Sequence, residues 1–404
     1  MSAALEFSHV DILFPAQHAR RGQREPMRRA LELLDSGLER MQIAERTGIV
    51  IGVADACLSV EPGEISVLMG LSGSGKSTLL RAANGLNAVT RGKVLVGGGD
   101  SVVDVAACDQ ARLRRVRRER IAMVFQQFGL LPWRTVRENV GLGLELRGVT
   151  VAERHRTVDE KLALVGLSDW ANRYASELSG GMQQRVGLAR AFATEADILL
   201  MDEPFSALDP LIRTKLQDEL LQLQRQVRKT IVFVSHDLDE ALKLGNHISI
   251  LEGGRIVQTG TAQDIVLRPV NDYVAEFVRH MNPLTVLTGG MIMRAHAELV
   301  RDGQHLWLDA ARRYQITLNE RGECTALSMD GQAAPFARHE DFSADAGLPP
   351  GLVIASVTLP LQRIIQLRQL TGHPVLLAQD GVVGGVCDEC EIVRALAGKG
   401  RQGG

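Results

Sequence analysis

One stretch constrains this chain more than any other: GLSGSGKST, from Gly70 to Thr78. It follows GEISVLM, a β-branched run that reads as a buried strand, and it leads into STLLRAANGL, whose composition and apolar spacing read as a helix. The glycines therefore fall in a strand-to-helix turn and match G-x-x-x-x-G-K-[ST]. Gly70, Gly73 and Gly75 let successive backbone N–H groups converge on phosphate oxygens at a helix N-terminus, and Ser72, Ser74 and Thr78 complete the cradle. Lys76 is placed to pair with the β and γ phosphates, and the Ser77 hydroxyl suits magnesium. A chain built around such a turn is committed to an α/β fold and to a nucleoside triphosphate.

What the triphosphate is for depends on residues far downstream. In ADILLMDEPFSALDP, the apolar run Ile198 to Met201 ends in Asp202 and Glu203, the pattern of a buried strand carrying carboxylates at its end. Beside a phosphate loop, Asp202 enters the magnesium shell and Glu203 polarises the attacking water. A further strand, TIVFVSH, ends at His236, whose imidazole is placed to reach a γ-phosphate, although a lone His is ordinarily structural. In ELSGGMQQRVGLARAF, residues Ser179, Gly180 and Gly181 open a long helix with no side chain blocking its amides. That is a second anion site. One triphosphate uses both only across an interface, so a head-to-tail homodimer is expected.

Totals narrow the class. At 404 residues, two or three units are expected from the usual domain size of about 100 to 200 residues. The formal net charge of -2 gives no whole-chain field towards nucleic acid. The basic run ARLRRVRRERI, Arg112 to Arg120, carries Leu113 and Val116 three apart and reads as a solvated helix face, near anionic lipid at most; no nucleic-acid partner is expected. No apolar run approaches the ~20 residues that span a bilayer, and the start lacks a signal-peptide pattern. Five scattered cysteines (Cys57, Cys108, Cys324, Cys387, Cys390) suit free thiols, and a cytoplasmic location is expected.

Taken together and in order, these elements resemble the ATP-binding-cassette (ABC) ATPases. Walker A is GLSGSGKST, the Q-loop MVFQQF with Gln126, the signature LSGGM, Walker B ILLMDE, the D-loop SALD with Asp209, and the H-loop VSHD with His236. The resemblance implies a P-loop NTPase cassette, with a RecA-like core and a helical subdomain, whose dimer holds two ATP between the Walker A of one copy and the signature of the other. It implies catalysis by Glu203, His236 and Gln126. It places Ser77, Gln126 and Asp202 on Mg2+, and Asp209 at the nucleotide. Phe14 in VDILFPAQ matches the aromatic that stacks on adenine, with Phe7 as its rival.

A single uninterrupted cassette, from about Phe7 to about Pro269, resembles a transporter subunit more than the split or tandem cassettes of other ABC machines. After Gln126, the residues Phe128, Leu130, Leu131, Pro132 and Trp133 match the groove that receives a permease, although Leu130 and Leu131 read equally well as core. The segment Arg24 to Val53, with Met27, Leu31, Leu34 and Leu38 at helical spacing and Gly37 near the helix end, resembles the insertion of quaternary-ammonium (glycine betaine, proline, choline) importers. Trp133 and NDYVAEFVRHMNPLTVL resemble the choline branch. Partners implied are a membrane permease and, indirectly, an external solute-binding protein, with the chain peripheral on the inner membrane. A non-transport ABC ATPase or a sensory nucleotide-binding protein is the alternative.

The expected boundaries are residues 1–270 for the cassette, with an insertion over 15–50 and a helical subdomain over 127–190, then a linker at 271–287 and a second domain at 288–404. Within the last, the stretch Leu318 to Gly351 is polar and rich in Gly and Pro and reads as loops or an eroded domain. From Leu352 onward the pattern strand, helix, strand, DG turn, strand, helix resembles one CBS module, giving a small, degenerate α+β regulatory domain. Cys387 and Cys390 read as paired free thiols rather than half of a zinc site.

Overall fold

A computed structural model describes residues 3–15, 24–97, 102–279, 284, 287–303, 305–339 and 351–396. The first of two units, Met1–Ala262, opens with β1 (Leu5–Pro15), α1 (Arg24–Asp35), α2 (Arg40–Thr47), β2 (Ile49–Val60) and β3 (Ile65–Met69). Then come α3 (Lys76–Ala82), β4 (Arg91–Val96), β5 (Val103–Asp104), α4 (Gln110–Glu119) and β6 (Ile121–Val124). Three helices, α5 (Val136–Leu146), α6 (Val151–Leu164) and α7 (Gly180–Ala193), pack on one another where the helical subdomain is expected. The chain returns through β7 (Ile198–Asp202), α8 (Pro210–Val227), β8 (Thr230–Val234), α9 (Leu238–Leu244), β9 (His247–Glu252) and β10 (Arg255–Gly260).

The larger sheet runs β10-β9-β3-β8-β7-β6, parallel throughout except for β10 at its edge. Every residue of β3, β7 and β8 is buried, as a parallel sheet covered on both faces requires. Val234 is registered with both Leu68 and Asp202, so these three strands end level with one another. Their C-terminal ends, where ligands bind in open α/β sheets, carry the phosphate loop, Asp202–Glu203 and Ser235–His236. A second, antiparallel sheet, β2-β1-β4-β5, shares a core with the first: Phe7, Val10 and Leu58 pack in one cluster with Leu68, Leu79, Leu200 and Val232.

The insertion differs from its expected form. Its single amphipathic helix is two, because Gly37 at φ +84° turns the chain after α1 and Gly48 at φ +67° ends α2. Ala30, Leu34 and Ile43 are buried against Leu13, Ile49 and Ile51. Arg91 fastens the end of α1 to the sheet, bonding Asp11 at 2.6 Å and Asp35 at 2.9 and 2.7 Å. Residues 16–23, the first part of the expected insertion, lie outside the described residues.

The basic run forms α4, capped by Asp109, with Leu113 and Val116 buried and most of its arginines in solvent. Arg117 turns back to bond the carbonyls of Asn84 and Gly85.

The second unit, Gln263–Gly404, begins earlier than the expected boundary at 270, and Asp272–Arg279 in the expected linker is helical. The polar stretch read as loops contains regular structure: β15 (Cys324–Met329) and β16 (Gln332–Ala334) lie within it and complete an antiparallel meander begun by β12 (Val300–Asp302), β13 (His305–Trp307) and β14 (Tyr314–Leu318). Its turns are the reason the reading failed. Asn319 accepts from the amides of Arg321 and Glu323, and Asp330–Gly331, both at positive φ, close the next hairpin. Turn residues that looked like a continuous loop are the punctuation between short strands with one wet face.

The expected strand–helix–strand–turn–strand–helix order from Leu352 is present: β18 (Leu352–Ser356), the helix Leu361–Thr371, β19 (Val375–Gln379), β20 (Val382–Cys387) and the helix Glu389–Leu396. These strands join β11 (Arg294–Ala295) and β17 (Phe336–Arg338) in a second five-stranded sheet. Residues 340–350 of the expected loop lie outside the described residues.

All five cysteines are free. Burial pushes the Cys387 thiol up to about 12, reinforced by Glu391 and Asp388, whereas Cys390 is exposed. Alkylation of the native protein at pH 8 is therefore expected to modify Cys390 and Cys57 rapidly and Cys387 only on unfolding. Peptide mapping that finds native Cys387 alkylated as fast as Cys390 would show this packing to be wrong.

Candidate functional site

The phosphate loop is threaded between other backbones. Gly70 sits at φ +143°, and a Cβ there would come within 2.2 Å of the Leu251 carbonyl oxygen. Gly75, at φ +102°, would bring one within 2.5 Å of the Gly52 carbonyl oxygen. No side chain caps α3, whose N-cap is Gly75, so its first amides are left for a ligand. Lys76 is buried and folds back, donating to the carbonyls of Gly70 at 2.8 Å and Leu71 at 2.9 Å. Burial pulls its ammonium below the usual lysine value, against the opposing pull of Glu203 and Asp202. The Ser74 hydroxyl oxygen is buried with no partner among the described residues. Leu71, Ser72 and Gly73 form the exposed tip.

Asp202 is fully buried at the end of β7. Ser77 Oγ donates to its Oδ1 at 2.7 Å, and Arg81 bonds its Oδ2 at 2.8 and 3.2 Å. The next residue, Glu203, takes the left-handed conformation at φ +50°, an uncommon state for a side chain with a Cβ. Its carboxylate accepts from Gln126 Nε2 at 3.1 Å and lies 3.6 Å from His236 Nδ1. The structure thus brings Lys76, Ser77, Gln126, Asp202, Glu203 and His236 together, as the motifs require. His236 is largely exposed, and the strand end that carries it is braced by Ser235, which donates to Glu240 at 2.5 Å. Glu240 also accepts from Gln217 at 3.0 Å, and burial raises its carboxyl above the ordinary value.

The two aromatic candidates separate. Phe7 is buried in the core, only 2% exposed, and has no route to a ligand; Phe14 is 37% exposed. A Cβ on Gly52 would lie 2.7 Å from the Phe14 ring and 3.2 Å from Thr78 Cγ2, so the ring is seated across Gly52 beside the start of α3.

The signature turn corrects one expectation. Ser179 is the N-cap of α7, and its hydroxyl accepts from the Met182 amide at 3.4 Å, so these amides are not all open. Ser179 and Gly180 are exposed, and Gly181 approaches the Ala207 carbonyl of the D-loop. Asp209 caps α8, accepting from the Ile212 amide at 3.0 Å. Within one chain the signature packs on the D-loop.

Beyond Gln126, Phe128 and Gly129 are held by Arg190 of α7, which donates to their carbonyls at 2.9 and 2.7 Å. Asn139 is buried and donates to the carbonyls of Leu131, Arg134 and Thr135, fixing the following loop. Trp133 stands 71% exposed on this fixed loop, while Leu130 and Leu131 are half-buried. Sequence reading missed Arg190, Arg81 and Gln184. Gln184 is buried, donates to the Glu203 carbonyl and accepts from the Ala207 amide, both at 3.0 Å. Most of these bonds go to backbone atoms, which leaves no motif to find.

A family model described as "ABC transporter" matches residues 53–206. The chain is 42% identical over 392 residues to the "Glycine betaine/proline betaine transport system ATP-binding protein ProV" of Escherichia coli (strain K12), covering 94% of this chain and 96% of that one. The chain belongs to the ATP-binding subunits of ABC transporters. It is 40% identical over 377 residues to the "Glycine betaine/carnitine transport ATP-binding protein GbuA" of Listeria monocytogenes serotype 1/2a (strain 10403S), covering 92% and 94% of the two chains. Among solved structures it resembles the dimeric post-hydrolysis state of the ATP-binding cassette MJ0796 bound to ADP and Pi. That match has a TM-score of 0.53 at 30% identity and covers 64% of this ABC subunit and 98% of MJ0796. As a member of this family, the ABC subunit is an ATPase.

Two outcomes test the site. Gly75→Ala is expected to abolish ATP binding in a calorimetric titration, because its Cβ meets backbone that cannot yield. Gly73→Ala meets nothing within 4 Å and carries only left-handed strain of about 1–2 kcal/mol, so it should weaken binding without abolishing it. Equal behaviour of the two variants would refute the packing of the loop.

The second concerns Glu240. Because burial raises its folded-state value, its neutral form favours folding. That stability is fully present below the ordinary value of 4.5 and is lost as pH rises through the raised one. Glu240→Gln should flatten the Tm profile across this window and raise Tm at pH 7; an unchanged profile would contradict the assignment.

Proposed function

We propose that this ABC subunit is the ATPase of an importer for a small quaternary-ammonium solute of the betaine type, acting as a homodimer beneath a separate permease. The observation that carries the reading is the division of anion sites. The phosphate loop, Asp202, Glu203 and Gln126 form one assembled half, while Ser179 and Gly180 face solvent, with Gly181 half-buried beside the D-loop of the same chain. ATP completes the pair by bridging one copy's phosphate loop to its partner's signature, with adenine on Phe14 and Asp209 at the joint. The relatives named for glycine betaine, proline betaine and carnitine transport support the solute class. The choline reading, drawn from Trp133 and the segment after Asn271, is a narrower member of it.

In the closed dimer, Lys76 and the α3 amides hold the β and γ phosphates. Glu203, held by Gln126 and flanked by His236, accepts a proton from the attacking water, and His236 donates towards the γ-phosphate. The oxygen donors Ser77 Oγ and Asp202, already 2.7 Å apart, fit a hard divalent cation with Gln126 completing the set. Magnesium bound there supplies neutralisation of the charge that develops on the phosphates. In this reading attachment runs through the permease, for which the exposed Trp133 on its fixed loop is the anchor; no described helix is long and apolar enough to cross a membrane. The second unit is a regulatory domain containing one CBS-like module.

The test joins assembly to transport. Glu203→Gln should bind ATP and Mg2+ yet hydrolyse at least a hundredfold more slowly, and so accumulate an ATP-dependent dimer in light scattering. Cells lacking the subunit should lose uptake of labelled glycine betaine or choline, with rescue by wild type and not by Glu203→Gln. Unchanged uptake of both, with no membrane protein co-purifying, would return the chain to a non-transport ATPase.

A further inference from the structure

The insertion reaches the phosphate loop. Arg40, the first residue of α2, donates from Nη1 to the carbonyl of Gly73 at 2.8 Å. That carbonyl belongs to the peptide whose N–H, on Ser74, donates to the Leu71 carbonyl at 3.1 Å. The same Leu71 carbonyl accepts from Lys76 at 2.9 Å. The Gly73–Ser74 peptide is thus held at both ends, by a cation from outside the loop and by the acceptor that Lys76 also uses. A positive charge on a peptide carbonyl polarises the N–H of the same peptide, so the Arg40 bond strengthens the inner one.

The tip needs such support. Leu71, Ser72 and Gly73 are exposed, and Gly73 lies at φ +77° with open space around its Cβ position, so no packing from that side fixes its peptide. Arg40, by contrast, is rooted. Ile43, one turn on and on the same helix face, is fully buried in the insertion's own core. The preceding turn is closed by bonds from Gly37 to Leu34 and from Leu38 to Leu33, each 3.1 Å. The end of α1 is tied through Asp35 and Arg91 to the buried Asp11 of β1.

We infer that Arg40 is a positioning residue for nucleotide, and that the insertion is a strut, fixed to the antiparallel sheet at one end, which preorganises the phosphate loop at the other. The inference rests on the loop being the ATP site. Preorganisation lowers the ordering cost that binding otherwise meets, so its loss appears in affinity for every nucleotide that the loop embraces and leaves the chemical step alone.

The experiment uses the full chain, with fluorescent mant-ATP and mant-ADP for equilibrium binding and steady-state ATP hydrolysis for rates. Arg40→Ala is expected to weaken both nucleotides about three- to tenfold, the range for losing one partly exposed charge-assisted bond, and to raise KM by the same factor with kcat within about twofold. Arg40→Lys, which keeps the charge, should restore most of the affinity, and Arg40→Gln should not. Asp35→Asn, remote from the loop, should shift binding in the same direction by less. Wild-type affinity in Arg40→Ala, a fall in kcat at unchanged KM, or a loss of thermal stability that Arg40→Lys fails to rescue would each overturn the strut. Failure of the wild type itself to bind mant-ATP, with Lys76→Ala indistinguishable from it, would overturn the nucleotide site and this inference with it.

Discussion

Asp202 is the charge around which the site is built. A carboxylate with no solvent exposure, at the end of a central parallel strand, is tolerable only if cations or strong donors meet both oxygens. Both partners, Ser77 and Arg81, come from α3. Their spacing of one turn lets a single helix face serve both oxygens. Burying Asp202 therefore docks α3 against β7, and docking α3 fixes the direction in which its uncapped N-terminus points. The phosphate loop inherits its aim from that pairing, and Gly70 and Gly75 are the residues that let it pass the Leu251 and Gly52 carbonyls to get there.

From the same strand end, a second set of constraints runs outward through α7. Gln184 bonds the carbonyl of Glu203 and the amide of Ala207, so this helix touches the Walker B carboxylate residue and the D-loop at once. Two turns further on, Arg190 holds the carbonyls of Phe128 and Gly129, just past Gln126. Desolvation pulls this guanidinium below its ordinary value, and its two short carbonyl bonds compensate for its burial. The helix that begins at the signature is thus bonded to Walker B, to the D-loop and to the exit of the Q-loop. A shift of α7 cannot move one of these without straining the others.

How much of this was legible follows from what kind of partner each residue has. Motif residues whose proposed partner is a phosphate, an ion or the attacking water, Lys76, Ser77, Asp202 and Glu203, stand at spacings dictated by the ligand and can be read directly. Arg190 and Gln184 bond chiefly to backbone, and any sequence offers backbone, so their spacing says nothing. Phe14 and Phe7 could not be separated from composition, since both lie on one strand; burial on opposite sides of β1's irregular pairing separates them. The meander's last strands, β15 and β16, are missed for the complementary reason. Its strands bury few residues besides Leu306, Tyr314, Ile316 and Leu327, so the alternating pattern is faint and the turn residues dominate the reading. In the insertion the apolar spacing was sound, but Gly37 marks a turn between two helices rather than the end of the element.

The signature turn bears on the proposal that two copies complete one site. Ser179 satisfies its own helix with a bond of 3.4 Å, near the outer limit for such contacts, while the Gly180 and Gly181 that follow carry no side chain to fill the space. A cap this long is easily exchanged for a phosphate oxygen, which is charged and gains from the helix dipole as well. In the dimer proposed above, the incoming nucleotide replaces a weak self-contact on one copy while completing a preassembled carboxylate and lysine site on the other. Closure is then favoured by the triphosphate and not by apolar burial, and removing the γ-phosphate withdraws the group that made the exchange favourable. In that proposal hydrolysis and reopening are coupled because the same oxygens serve both.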